Sequence, residues 1–171
     1  MIREIIEKGD AVLNKRCHPV TRFDHKLSLL LSDMRQTLLE SGGVGLAAPQ
    51  VGILRRAVVV MNEQEEIYEL VNPEIVETSG EQEGWEGCLS LPGRYGWVKR
   101  PMKVKVRAQN RKGEWFEVEE EGLTARCFCH EIDHLEGHLF DELCDVTYSA
   151  EELEEMEAAQ QQEKEAAGSE E

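Results

Sequence analysis

Leu123-Thr-Ala-Arg126-Cys127-Phe-Cys129-His130-Glu131-Ile-Asp-His134-Leu-Glu136-Gly137 is the stretch around which the rest of the chain must be arranged. Leu123, Cys127, His130 and His134 recur along one stripe of a 3.6-residue period, and Phe128, Ile132 and Leu135 form a second stripe beside it. Gly122 precedes the pattern, and Gly137 stands where a helix ends cheaply in the left-handed conformation. A helix from about Leu123 to Glu136 is therefore expected. It is apolar over too much of its circumference to lie on a surface, so it is expected to be buried.

Upstream, Met102–Ala108 alternates with Val104 and Val106 on one face, Gln109–Gly113 reads as a hairpin turn, and Trp115–Glu119 as the returning strand. Ala57–Met61 is a buried-looking strand. Ile67–Val71 and Glu74–Glu77 are strand-like, with Asn72-Pro73 as punctuation between them. Val44–Gln50 reads as an apolar, small-residue loop. Nearer the start, Leu27, Leu30, Leu31, Met34 and Leu38 keep helical spacing, with Asp24 as cap and Ser41-Gly42-Gly43 as the stop after Glu40. No internal repeat is visible. The expected class is α+β: mostly antiparallel strands packed around a central helix carrying His130 to His134, with an N-terminal helix and a C-terminal helix or tail.

The chain has 171 residues, with 35 acidic against 19 basic side chains and a net charge of −16. That length supports one domain with a real core. The charge argues against binding a phosphate backbone, and DNA is not an expected partner. Half of the excess lies in residues 149–171, where nine Glu and one Lys give −8. The expected division is thus a mildly acidic body over 1–148 and an acidic segment over 149–171. Ser149 and Glu152 fit a capping box, and Leu153 and Met156 share a helical face. A helix is expected to start there and to fray into 160–171 as a solvated, partly disordered tail.

Five cysteines (Cys17, Cys88, Cys127, Cys129, Cys144) follow a start with no apolar signal-type region. No apolar run reaches the roughly 18 residues that span a bilayer. A reducing cytoplasm without membrane contact is expected, and in that setting cysteines point to metal binding or catalysis more than to disulfides.

His130-Glu131-Ile132-Asp133-His134 is an HExxH motif. The spacing puts two imidazoles on one helical face within reach of one ion, with Glu131 beside it as a base for water. A catalytic site of this kind needs a third ligand and one open position. An extended His motif is absent, since His138 falls too close to His134. The glutamates beyond 150 lie in a low-complexity segment. Cys88, between Gly87 and Leu89, is a candidate, although a lone cysteine is more often a small buried hydrophobe. His18, His25 and His138 read as exposed.

Three segments in order, Gly43-Val44-Gly45-Leu-Ala-Ala-Pro-Gln50, Glu86-Gly-Cys88-Leu89-Ser90 and His130-Glu131-Ile-Asp-His134, resemble the motifs of the peptide deformylases, and the resemblance spans about residues 1–148. It implies a metal held by Cys88, His130 and His134, with Fe²⁺ favoured and Zn²⁺, Ni²⁺ or Co²⁺ able to substitute. It implies Glu131 as the acid–base group, and the Gln50 amide with the Leu89 N–H as stabilisers of the oxyanion. Gly45 would let the substrate backbone approach closely. Val44, Leu123, Arg126 and Cys127 are candidates for the wall of a methionine pocket, with Tyr95 near its mouth.

The implied reaction releases formate from the N-formyl-methionine of newly made polypeptides. Cys129 departs from the glutamine common in bacterial relatives. The Gly93–Val98 stretch departs from their commonest pattern. The implied partner is the formylated nascent chain, acted on by a monomer, with the ribosome exit region left open but not reached through a basic C-terminal helix. The alternatives are an HExxH zinc endopeptidase with a distant carboxylate ligand, and a non-catalytic deformylase-like binding protein.

Overall fold

The computed structural model describes residues 1–169. Helix α1 spans His25–Ser41: the Asp24 side chain accepts from the Leu27 N–H, and Gly42 ends the helix at φ 73°. Five strands, β1 (Gly45–Ala47), β2 (Ala57–Met61), β3 (Ile67–Ser79), β6 (Lys103–Gln109) and β7 (Trp115–Glu121), form an antiparallel sheet in that spatial order. Strands β4 (Gln82–Cys88) and β5 (Leu91–Arg100) form a separate hairpin. Helix α2 spans Gly122–Leu135 and helix α3 spans Ala150–Ser169.

The all-apolar β2 is explained by its two buried faces. Val58 and Val60 pack with Phe128, Ile132 and Leu135 of α2, whereas Ala57 and Val59 pack with Leu27, Leu31 and Leu38 of α1. Alternation along a strand sends neighbours to opposite sides, so a strand between two helices has no polar side. Helix α2 is consequently buried as expected, with Phe128 and Leu135 fully enclosed. It ends one residue before Glu136, and Gly137 at φ 83° follows; a β-carbon there would collide with the Asn14 backbone.

Three local readings change. Val44–Gln50 is not a plain loop: Gly45–Ala47 pairs with Val58–Val60, and Ala48–Val51 forms a 3₁₀ turn. Asn72-Pro73 does not divide two strands. Asn72 takes φ 49° at an irregularity inside the continuous β3, where its side chain bonds to both the N–H and the carbonyl of Val20 and to Gln109. The C-terminal helix does open on the reciprocal Ser149–Glu152 capping box, but it runs on past Gln160 to Ser169. The Ala, Gln and Glu that fill 158–167 are good helix formers, which explains why the charge does not stop it. The part of that expectation on residues 170–171 lies outside the described residues. Among the described residues no helix is long and apolar enough to cross a membrane.

Candidate metal centre and cavity

Helix α2 brings His130 and His134 together with ring centroids 5.1 Å apart. Cys88 reaches them from the end of β4, where the pairing with β5 shifts register between Glu86 and Cys88. One ligand atom from each of Cys88, His130 and His134 lies within 4.8 Å of the others, and Cys88 Sγ is 3.4 Å from His134 Nε2. A thiolate and an imidazole on one tetrahedral ion are separated by about 3.5 Å, so this spacing suits a shared cation. Among the described residues, the C-terminal helix contributes no carboxylate to this group.

Glu131 is buried beside the ligands, and among the described residues its Oε1 has no hydrogen-bond partner. Burial pushes its carboxyl up to about 7 against the pull of His130. Burial holds His134 down at about 3, helped by the charges of His130 and Arg100, so this ring is neutral and free to ligate. Burial disfavours a charged His130 as well, but Glu131, Cys88 and Glu86 outweigh it and raise that pKa. The Glu86 carboxylate on this side also favours a divalent cation. An orphaned buried carboxylate oxygen, a thiol and two imidazoles converging at one point fit a metal ion.

Beneath the ligands lies an ionic network absent from the sequence reading. Glu86 Oε1 is 2.8 Å from His130 Nδ1, which leaves Nε2 to face the ligand group. Arg100 binds Glu86 with both carboxylate oxygens, at 3.0 and 2.8 Å, and reaches Asp133 at 2.7 Å. Although burial alone would raise the pKa of Glu86, His130 and Arg100 bring it down to about 2. Phe140 stacks on the His130 ring, 5.9 Å between centroids. The position of Glu86 two residues before Cys88 was visible in the sequence, but nothing local pointed to Arg100 as its counter-ion.

All of Val44, Gly45, Gln50, Cys88, Leu89, Tyr95, Leu123, Arg126, Cys127, His130 and Glu131 line one cavity of about 460 Å³, with His134 buried behind it. Gln50 is locked in place. Its Oε1 accepts from the Ala47 N–H at 2.9 Å, while Nε2 donates to Ser90 Oγ at 3.1 Å and lies 3.6 Å from Cys88 Sγ. Leu89 packs against Gly43 in the turn next to Cys88.

Arg126 lines the cavity, but its guanidinium is held by Glu86 at 2.7 Å and by the Val98 carbonyl at 3.2 Å, so its charge belongs to the ionic network. Cys127 is a neutral thiol, which burial pushes up to about 12. Cys129 lies outside the cavity in the core between α2 and the sheet, as a small hydrophobe. Tyr95 packs on Gly87 and exchanges two backbone hydrogen bonds with Tyr148, which brings the start of α3 to the rim. Trp85, unforeseen from the sequence, also lines the cavity and stacks edge-on with Trp97 and Tyr148.

Gly45 has a more immediate reason to be glycine than substrate approach. A β-carbon there would overlap the Glu131 carboxylate. Gly45→Ala is therefore expected to displace Glu131 and lower kcat by about 100-fold, the usual effect of a displacement near 1 Å. Steady-state kinetics alongside metal analysis checks this, with metal content expected to be unchanged.

A sequence profile of the polypeptide deformylases matches residues 2–147. The peptide deformylase of Agathobacter rectalis is 51% identical over 152 residues, covering 86% of this chain and 96% of that protein. That of Lachnoclostridium phytofermentans is 54% identical over 142 residues, covering 82% and 87%. Among solved structures, a peptide deformylase from Legionella pneumophila superposes with a TM-score of 0.82 at 46% identity, covering 85% of this chain and 87% of that one. The Thermotoga maritima peptide deformylase gives 0.81 at 41% identity, covering 85% and 99%. Motif order, fold and overall similarity agree, and the chain belongs to the polypeptide deformylase family, hydrolases that act on N-formyl-methionyl peptides.

Proposed function

We propose that the enzyme removes formate from nascent formyl-methionyl chains with one Fe²⁺ held by Cys88, His130 and His134. The observation that carries this is the meeting of those three ligand atoms within 4.8 Å at the cavity that Glu131 and Gln50 line. One thiolate and two neutral imidazoles suit Fe²⁺, and equally Zn²⁺, Ni²⁺ or Co²⁺ as substitutes. When bound, the ion supplies the Lewis acidity that makes water nucleophilic near neutral pH.

The chain supplies the rest. Glu131, with its Oε1 unpartnered, takes the proton of the attacking water and returns it to the leaving amine. The Gln50 amide and the Leu89 N–H receive the charge that grows on the formyl oxygen. Gln50 costs little to organise, because Ala47 and Ser90 already hold it. Val44, Leu123 and Cys127 offer an apolar wall to the methionine side chain, with Tyr95 and Trp85 at the mouth. Arg126 supports that wall through its stem while Glu86 retains its charge.

The enzyme works as a cytoplasmic monomer on formylated nascent chains. Helix α3, with seven Glu and one Lys, is repelled by ribosomal RNA, so any approach to the exit region uses another surface. Cys88→Asp is the test of the ligand set. It is expected to lose metal on dialysis and to lose more turnover than the roughly 10–100-fold that outer-shell changes cost. Near-normal metal content and turnover in that variant would contradict the assignment and favour an endopeptidase-type site.

A further inference from the structure

The N-terminal segment contributes nothing to the metal group, yet its backbone bonds to both turns that carry the polar groups of the site. The Ile6 N–H donates to the Gln50 carbonyl at 2.8 Å, and the Lys8 N–H to the Ser90 carbonyl at 2.7 Å. Exposed Glu7 lies between them, and Lys8 opens the turn that the Asp10 N–H closes on the Glu7 carbonyl.

The side chains repeat the pattern. Ile6 packs in a cluster with Leu91, Phe140 and Cys88, and the Lys8 ammonium pairs with Asp141, next in sequence to the Phe140 that stacks on His130. Gln50 and Ser90 stand 40 residues apart in the chain and are joined directly by one side-chain hydrogen bond, from Gln50 Nε2 to Ser90 Oγ. A bridge through Ile6 and Lys8 adds a backbone-level tie between the Gln50 turn and the Cys88 turn.

We infer that Ile6–Lys8 is a clasp that fixes the distance between the Gln50 amide and Cys88, which makes Ile6 and Lys8 positioning residues for formyl hydrolysis. This rests on the reading of Gln50 as a stabiliser of the reacting carbonyl oxygen. An oxyanion donor acts over a narrow range of distance, so the clasp influences turnover through Gln50 without touching substrate.

Lys8→Pro removes both the N–H given to Ser90 and the ammonium paired with Asp141. Its kcat is expected to fall by about 10–100-fold, with KM moved less than about threefold and metal content unchanged. Glu7→Pro, at a position whose N–H is not part of the clasp, is expected to keep wild-type kinetics. The deciding measurement is the double-mutant cycle with Gln50→Ala. If the clasp acts through Gln50, adding Lys8→Pro to Gln50→Ala costs less than about a further threefold.

Should Lys8→Pro fail to fold, Lys8→Met and Ile6→Ala give the same cycle, with single losses of about three- to fivefold that vanish in the Gln50→Ala background. Wild-type kcat in all clasp variants, or losses that are the same with and without Gln50, would overturn the clasp. A Gln50→Ala variant with full activity would overturn the reading of Gln50 and the clasp together, whereas a damaged Gln50→Ala with additive losses would overturn the clasp alone.

Discussion

Glu131→Ala is expected to lower kcat by about 10²–10⁴-fold, the range that a positioned acid–base group contributes. It is also expected to retain the metal, because Glu131 is outside the ligand group formed by Cys88, His130 and His134. The size of the effect follows from where the carboxylate sits. It is buried, it lines the cavity, and one of its oxygens has no partner among the described residues. A carboxyl pushed up to about 7 by burial exchanges a proton readily near neutral pH, which suits a group that accepts a proton and then gives it back. Glu131→Gln keeps the volume and removes that exchange, and it should be as inactive as the alanine variant. Metal loss in either variant would assign Glu131 a structural role instead.

Arg100→Leu carries the largest expected effect on stability. Arg100 and Glu86 are each about 95% buried, and the guanidinium also holds Asp133. Removing one partner of a buried pair strands the other, at a cost of about 3–5 kcal/mol. For a chain of this length that lowers Tm by roughly 6–20 °C. Arg126 and His130 still contact Glu86, which sets the effect toward the lower end. Because Glu86 orients His130, metal affinity should fall by about 10–100-fold in parallel. Arg100→Lys keeps the charge without the two-pronged geometry and should fall between the two. Thermal unfolding followed by circular dichroism, with a chelator competition on the same samples, measures both quantities. An unchanged Tm would mean that the network is not what anchors the metal helix.

The parts of the fold that sequence reading captured are those specified locally. Asp24 and Gly42 bound α1 through capping chemistry that needs no tertiary context, and β2 shows its double burial as an unbroken apolar run. HExxH defines its geometry through helical spacing alone. The β4–β5 hairpin escaped because Glu83-Gly84-Trp85-Glu86-Gly87 carries no apolar alternation. Its stability comes from pairing across the strands, as with Trp85 opposite Trp97, and from a buried carboxylate whose counter-ions lie 14 and 40 residues away.

Arg126 shows the same limit within the site. Its place on the helix put it at the cavity, but only the fold could reveal that Glu86 holds its charge. Asn72 was misread, and Gly45 was read without its neighbour Glu131, for a related reason. Each serves a neighbour distant in sequence, Glu131 in one case and Val20 in the other.

The most direct measurement is formate release from a formyl-methionyl peptide under anaerobic conditions, with metal analysis of the same sample. Formate is expected in step with substrate loss, with one Fe²⁺ per chain and no cleavage of the unformylated peptide. No formate from enzyme loaded with Fe²⁺, together with cleavage of unformylated peptides, would contradict the account.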